Sequence, residues 1–414
     1  MATPRLPHSV LRLLLCLLLM LPAATVRAQL DSLVYVSPDS LRHDGKGELR
    51  LEVENLTFLR DNEYKSACVK GYTLPGLWLM PTFTYQPLHN LQLSAGMYML
   101  HYWGANKYPN LNYSDLAEWK GGQTQRGFHI LPVFRAHFKP TRRLDIVLGT
   151  LYGKANHGLV EPLYSDENML STDPETGAQV RWRTRVADVD AWINWESFIF
   201  RNDNHQESFS FGLSTRLRPS RRAARMQWYL PVQLLFQHRG GEVNTTAADR
   251  EVKTWLNAAV GAGFRLPLHT RIPVALTGEA TASWFSQQSG TALPFDKGYG
   301  LYARLEAEVW RCRVQAGYWQ CHDFITLFGN PHFGAVSIDD HSTCLKNPKM
   351  LTAHLEYAAP LGKGFAWGLD ASTYAQLPVT LTHADGTTER KGMAVSFAAG
   401  IYLHIYPSFL LRRW

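Results

Sequence analysis

The sequence predicts an all-β chain, a transmembrane antiparallel up-and-down β-barrel of about 16 strands, with 14 to 18 as the range. Three observations carry this. Segments of about ten residues alternate apolar and polar side chains from Glu48 to the end of the chain. Connections alternate between short turns and long polar loops. The last residue is an aromatic, Trp414. Successive side chains of a strand point to opposite faces, so strict alternation means two faces in different surroundings.

The clearest strands are 207–217, 255–266, 299–310 and 393–404. In the first, Phe209, Phe211, Leu213, Thr215 and Leu217 oppose Ser208, Ser210, Gly212, Ser214 and Arg216. In the third, Leu301, Ala303, Leu305 and Ala307 oppose Tyr302, Arg304, Glu306 and Glu308. Weaker alternation marks 49–58, 77–85, 91–103, 128–138, 144–153, 186–200, 226–238, 272–284, 312–320, 351–359 and 365–377. That is an odd number of strands. A barrel with both termini on one side needs an even number. Turns assigned from the two ends of the chain disagree between Lys154 and Gln206, so a crossing is missing there, and 16 is the expected count. Short turns fall at 86–90, 139–143, 267–273 and 361–364. Long loops fall at 104–126, 154–185, 240–252, 285–297, 321–350 and 378–391.

Composition narrows the classes. The chain has 414 residues, 45% hydrophobic, 12% aromatic and only 19% charged. Soluble domains carry roughly 25% charge. Plentiful aromatic and β-branched residues exclude disorder. Only the N-terminal apolar run approaches the ~20 residues of a membrane helix. The basic excess, +7, is spread along the chain, unlike the one-sided patch of a nucleic-acid binder.

Residues 1–28 read as a cleaved secretory signal. Arg5, His8 and Arg12 precede the apolar run Leu13 to Leu21, and Val26-Arg27-Ala28 places small residues before Gln29. Cys16 lies inside that run rather than at a cleavage point, which argues against a lipoprotein.

Alternation alone also suits a soluble sandwich, whose apolar faces pack on each other. Three features favour lipid. The second faces are rich in Gly, Ser and Ala beside charges, as a confined interior requires. The strands reach the ~9–11 residues of a tilted crossing. Trp103, Trp228, Trp284, Trp310 and Tyr406 stand at strand ends, where an interfacial girdle would lie. Closing the sheet pairs every edge N–H and C=O, which lipid cannot do.

The chain resembles the porin-like outer-membrane β-barrel proteins of Gram-negative bacteria. The residues that carry the resemblance are the signal, the amphipathic strands over 48–414, the turn-and-loop rhythm and Trp414 with Leu410 and Tyr406 before it. Arg412 and Pro407 depart from the pattern. The resemblance implies an outer-membrane location, short periplasmic turns, long extracellular loops, and a C-terminal strand read by the barrel-assembly machinery. Residues 29–47 are then an N-terminal periplasmic segment and 48–414 the barrel. Outer-membrane lipid is the expected surrounding partner, and homo-oligomerisation stays open.

Charges on the lipid side cost Arg or Lys ~2–4 kcal/mol at the midplane, so charged strand residues are expected to face inward. The expected pore-lining set is His129, Arg135, His137, Asp188, Asp190, Glu196, Arg216, Arg265, Glu279, Arg304, Glu306, Glu308, Glu356 and Asp370. Mixed charge rows can set up a transverse field in a water-filled pore, or pair across strands and fill it. No GxSxG, HExxH, P-loop or GxGxxG stands in a supporting context. His129, His137 and His354 fall on inward faces with serines such as Ser94 and Ser210, but an inward His more often belongs to a polar lining. Cys321 and Cys344 bracket a loop, and a disulfide between them is a candidate in an oxidising compartment. His322, Asp323, His332, Asp339, Asp340 and His341 in that loop match no metal-ligand spacing, so a solvated loop is expected, with no metal and no cofactor. The expected function is a porin-like channel for passive or weakly selective passage of small hydrophilic solutes, and not an enzyme. The alternatives are a non-transporting surface scaffold or adhesion barrel, and a barrel-embedded hydrolase.

Overall fold

A computed structural model describes residues 31–39, 41–42, 44–103, 129–198, 205–220, 224–241, 250–268, 270–339 and 342–414. The expected signal and the 104–126 loop lie outside the described residues.

Sixteen antiparallel strands close into one barrel among the described residues. They are β1 (Glu48–Lys65), β2 (Lys70–Leu88), β3 (Leu91–Tyr102), β4 (His129–Thr141), β5 (Leu144–Thr150), β6 (Thr176–Arg183), β7 (Ala187–Ser197) and β8 (Ser208–Leu217). There follow β9 (Gln227–Arg239), β10 (Lys253–Leu268), β11 (Val274–Ser289), β12 (Lys297–Val309) and β13 (Cys312–His322). After the short β14 (Cys344–Lys346) come β15 (Lys349–Gly362) and β16 (Phe365–Gln376). The last barrel strand, β19 (Ala394–Ile405), follows β17 (Val379–Thr382) and β18 (Thr388–Lys391). Neighbours in sequence are neighbours in the sheet. β1 pairs with both β2 and β19, with Leu59 opposite Ile401, and this closes the ring. A closed ring has no edge to satisfy, which is why this shape survives in lipid.

The strand that alternation missed is β6. It pairs with β5 and β7 and sits inside the segment expected to be a loop. Its eight residues do alternate: Val180 and Trp182 face out while Gln179 and Arg181 are buried. Shortness and a polar flank hid it. Pro407 interrupts the C-terminus as its ring demands. The chain nevertheless resumes as β20 (Ser408–Arg413), which pairs with the start of β1, and the Trp414 amide donates to the Gly47 carbonyl at 3.0 Å.

The outward face is apolar. Phe134, Leu148, Leu301, Leu305, Leu355 and Phe397 are exposed there, Leu305 at 67%. The inward glycines have a different use. A Cβ at Gly212 would meet the Trp192 ring at 2.0 Å, and one at Gly300 the Trp319 ring at 2.1 Å. Each glycine lets an aromatic ring of the neighbouring strand lie flat over the backbone, a known way of covering sheet glycines.

Two connections expected to be long polar loops fold inward instead. The 151–175 connection carries a 3-10 turn, Lys154–His157, and a helical turn, Asn168–Ser171. Leu163 and Leu170 there are fully buried. The 323–343 connection buries Phe324, Ile325, Phe333, Ala335 and Val336 completely. These apolar side chains gather with Trp192, Tyr302 and Trp319 of the wall in the main interior cluster. The expectation of a solvated 321–350 loop is therefore corrected: its first half is apolar, and burying it removes that surface from water.

The disulfide expectation is corrected as well. Cys68, Cys312, Cys321 and Cys344 are all thiols. Cys321, one residue before the end of β13, points into the interior, with Sγ 3.8 Å from the Phe333 carbonyl. Cys344 opens β14 in a separate small sheet with β17 and β18.

Candidate functional site

The inward connections clasp each other and the wall. The Ser165 amide and the Asn168 side chain both donate to the Phe328 carbonyl at 2.9 Å, and Thr326 Oγ1 donates to the Pro162 carbonyl at 2.6 Å. Amide side chains on the wall stand in for backbone partners. Asn257 donates to the Ile325 carbonyl and accepts from the Leu327 amide, at 2.9 and 2.8 Å. Gln233 does the same for Gly158 and Val160, at 3.0 and 2.9 Å. Buried loop backbone needs such partners.

Ion pairs add to the clasp. Arg60 of β1 binds Glu167 of the first connection and Asp370 of β16, both at 2.7 Å. His157 sits between Glu175 at 2.6 Å and Asp190 at 2.9 Å, stacked on Trp192 with ring centroids 3.4 Å apart. Burial alone would lower the His157 pKa, but the two carboxylates raise it to about 9, so the ring is cationic at neutral pH. A stretch near the N-terminus joins from the short-turn side. Val34 and Tyr35 are buried, Tyr35 edge-on to Tyr402, and Leu33 O lies 2.8 Å from His404 Nδ1.

Beneath these connections lies a polar cavity of about 440 Å³. It reaches the short-turn rim at Arg218, Gln227 and Trp228, and its ceiling includes Glu161, Tyr164 and Asn330. Seven of the expected pore-lining residues border it: Arg216, Arg265, Arg304, Glu306, Glu308, Glu356 and Asp370. They are cross-linked. Arg265 pairs with Glu308, Arg304 with Glu279 at 2.8 Å, and Arg313 with Glu356 and, at 4.0 Å, with Glu306. Arg216 lies over the Tyr229 ring at 4.8 Å. Positive and negative groups are thus interleaved on one wall.

The other expected residues go to different places. His137 lies 2.8 Å from Asp145, which also binds Lys139. His129 lies 2.9 Å from Asp173, Arg135 caps the Thr150 and Leu151 carbonyls, and Asp190 holds His157. Glu196 accepts from Ser208 and Gln237, and Asp188 pairs with Arg218. The first three mainly brace the turn into the first inward connection.

One grouping was only half visible in the sequence. His354 Nδ1 lies 3.0 Å from Ser372 Oγ, its direct cross-strand partner, and His354 Nε2 lies 3.5 Å from Glu161 Oε2. All three border the cavity. His354 was legible as an inward histidine. Ser94 and Ser210, the serines considered with it, are elsewhere: Ser94 lies 3.1 Å from Thr84. Ser372 needed the β15–β16 register, and Glu161 needed the inward fold of its connection. No cluster of metal-ligand type occurs among the described residues.

Comparison with known proteins gives a family and a shape. The family model described as lipid A 3'-O-deacylase-type matches residues 38–414. A search of curated proteins finds no match. Similar solved structures include OccAB2 of Acinetobacter baumannii, at 10% identity over 89% of this chain and 100% of that one, TM-score 0.49. OccK8 (OprE) of Pseudomonas aeruginosa is 11% identical over 88% and 100%, TM-score 0.49. OpdK of the same organism is 10% identical over 88% and 100%, TM-score 0.48. With the family match running through every barrel strand, this closed β-barrel belongs to the lipid A 3'-O-deacylase-type family.

Proposed function

We propose that the barrel is an outer-membrane channel for small hydrophilic solutes, closed in the described state by its two inward connections. The observation that carries this is the cavity: it is polar, bordered by interleaved arginines and carboxylates, and capped by the clasp of residues 158–167 and 330. Such a wall hydrates and orients polar solutes without strong preference for one sign of charge. Passage is passive and weakly selective, and needs the connections to move. The N-terminal signal is cleaved on export, and the C-terminal strand ending at Trp414 engages the assembly machinery. The test is conductance in planar bilayers of the full chain and of a variant with 324–336 replaced by a short Gly-Ser linker. Rare, small openings in the first and large, steady ones in the second are expected. Silence in both, from barrels that remain heat-modifiable, refutes the channel and leaves a surface scaffold.

A second reading is ester hydrolysis inside the barrel. The approach of His354 to Ser372 favours it, and so does the family description.

A further inference from the structure

We infer that Ser372, His354 and Glu161 form a hydrolytic centre for small, water-soluble acyl esters that enter the cavity. The inference rests on the second reading above and names its residues and its substrate class.

The geometry comes from three parts of the chain. Ser372 and His354 stand opposite one another on β16 and β15, both facing inward, with Oγ and Nδ1 3.0 Å apart. Glu161 is brought to the other ring nitrogen by the first inward connection, at 3.5 Å. The carboxylate is held in turn. Its Oε1 accepts from Tyr374 at 2.9 Å, and that same tyrosine oxygen accepts from Asn330 of the second inward connection at 2.8 Å. His354 Nε2 is buried and makes no hydrogen bond in the closed arrangement, so its strongest neighbour is the facing carboxylate. A hydroxyl, an imidazole and a carboxylate in line is the arrangement that activates a serine, whatever the fold. Catalytic contacts are often long before substrate binds.

The step balances without any cofactor. The Ser372 hydroxyl oxygen adds to the acyl carbonyl carbon as its proton passes to His354 Nδ1. The resulting imidazolium turns its Nε2–H to Glu161. The tetrahedral adduct collapses, the C–O bond to the alcohol breaks, and the alcohol leaves with the proton from His354. Water then attacks the acyl-serine, giving its proton to His354. The carboxylic acid departs and Ser372 recovers its hydrogen. Arg304 and Arg313 border the same cavity and supply positive charge where the oxyanion develops.

The cavity wall sets the substrate class. It is lined by Arg60, Arg304, Arg313, Glu306, Glu356 and Asp370, which pair across it. Burying a long acyl chain among ionised groups forfeits the hydrophobic gain that long-chain substrates depend on. A short acyl group on a polar alcohol fits.

The test uses the full chain folded in detergent, with p-nitrophenyl acetate as substrate and a small fluorophosphonate as label. One label per chain, mapped to Ser372, is expected. Ser372→Ala should lose the label and at least about 100-fold in kcat. His354→Ala should lose a similar factor. Glu161 acts through His354 and is a positioning residue. Glu161→Gln should lower kcat and move the acid limb of the pH–rate profile to lower pH, while KM holds. Asp370, Arg304 and Arg313 face the same imidazole and are common to both proteins. All variants should keep their heat-modifiable migration. No hydrolysis in the wild type overturns the second reading itself. Hydrolysis that persists in Ser372→Ala, or a label on another residue, overturns this centre alone. Equal turnover of a long-chain ester, with Ser372 labelled, overturns the substrate class.

Discussion

Replacing His157 by alanine tests how the first inward connection is held. The ring is fully buried between Glu175 and Asp190. Its pKa stands at about 9 against an ordinary 6.5: burial would lower it, and the two carboxylates raise it. The folded value lies above the unfolded one. The stabilisation is therefore complete below about pH 6.5 and is lost as the pH rises through about 9. The gap between the two values corresponds to about 3 kcal/mol, at 1.36 kcal/mol per unit of pKa. Lys154, Tyr164 and Glu175 also titrate around this connection and are present in both proteins. Urea unfolding in detergent micelles, at about pH 5.5 and about pH 10, measures it. Wild type should exceed His157→Ala by about 3 kcal/mol more at the lower pH than at the higher. Protease nicking near 151–175 should follow the same order. An advantage that is equal at both pH values refutes the ionic clasp and leaves only the stacking on Trp192.

Three further perturbations probe other levels of the structure. Arg60→Ala leaves Glu167 and Asp370 facing a buried gap, so it should cost about 3–5 kcal/mol and lower the temperature at which the folded band converts on gels. Leu305→Arg puts a cation on the most exposed part of the apolar face and should cost ~2–4 kcal/mol in bilayers, whereas it should cost far less if that face met water. Gly300→Ala must displace the Trp319 ring that covers it. A loss of about 1–3 kcal/mol with a changed near-ultraviolet signal is expected, and an unchanged signal would show that the ring does not lie on the glycine.

Much of the barrel was legible in the sequence because lipid and lumen impose opposite demands on alternate residues. Leu301 and Leu305 against Tyr302, Arg304 and Glu306 could be sorted without a structure. The missing crossing could be located between Lys154 and Gln206 by parity alone, and β6 is there. Its alternation, Val180 and Trp182 against Gln179 and Arg181, is too short to stand out from a polar flank. The interior was less legible. Apolar residues such as Phe324, Ile325 and Phe333 sit between polar ones with no strand or helix period, so nothing local says which way they turn. The cysteine spacing misled for the same reason: closeness along a loop does not bond Cys321 to Cys344 when one turns to the Phe333 carbonyl and the other opens the small sheet of β14, β17 and β18.

The sequence by itself determined the compartment expected for the chain, the two-faced strands, the approximate count and the inward side of each charged row. These follow from side-chain periodicity, which is local. Tertiary structure alone decided which charges meet, that two connections turn inward to cap the cavity, and that Glu161 arrives beside His354 and Ser372. Those outcomes depend on strand register and on residues hundreds of positions apart. A register shift of one residue turns every side chain to the other face, so no local pattern can encode them.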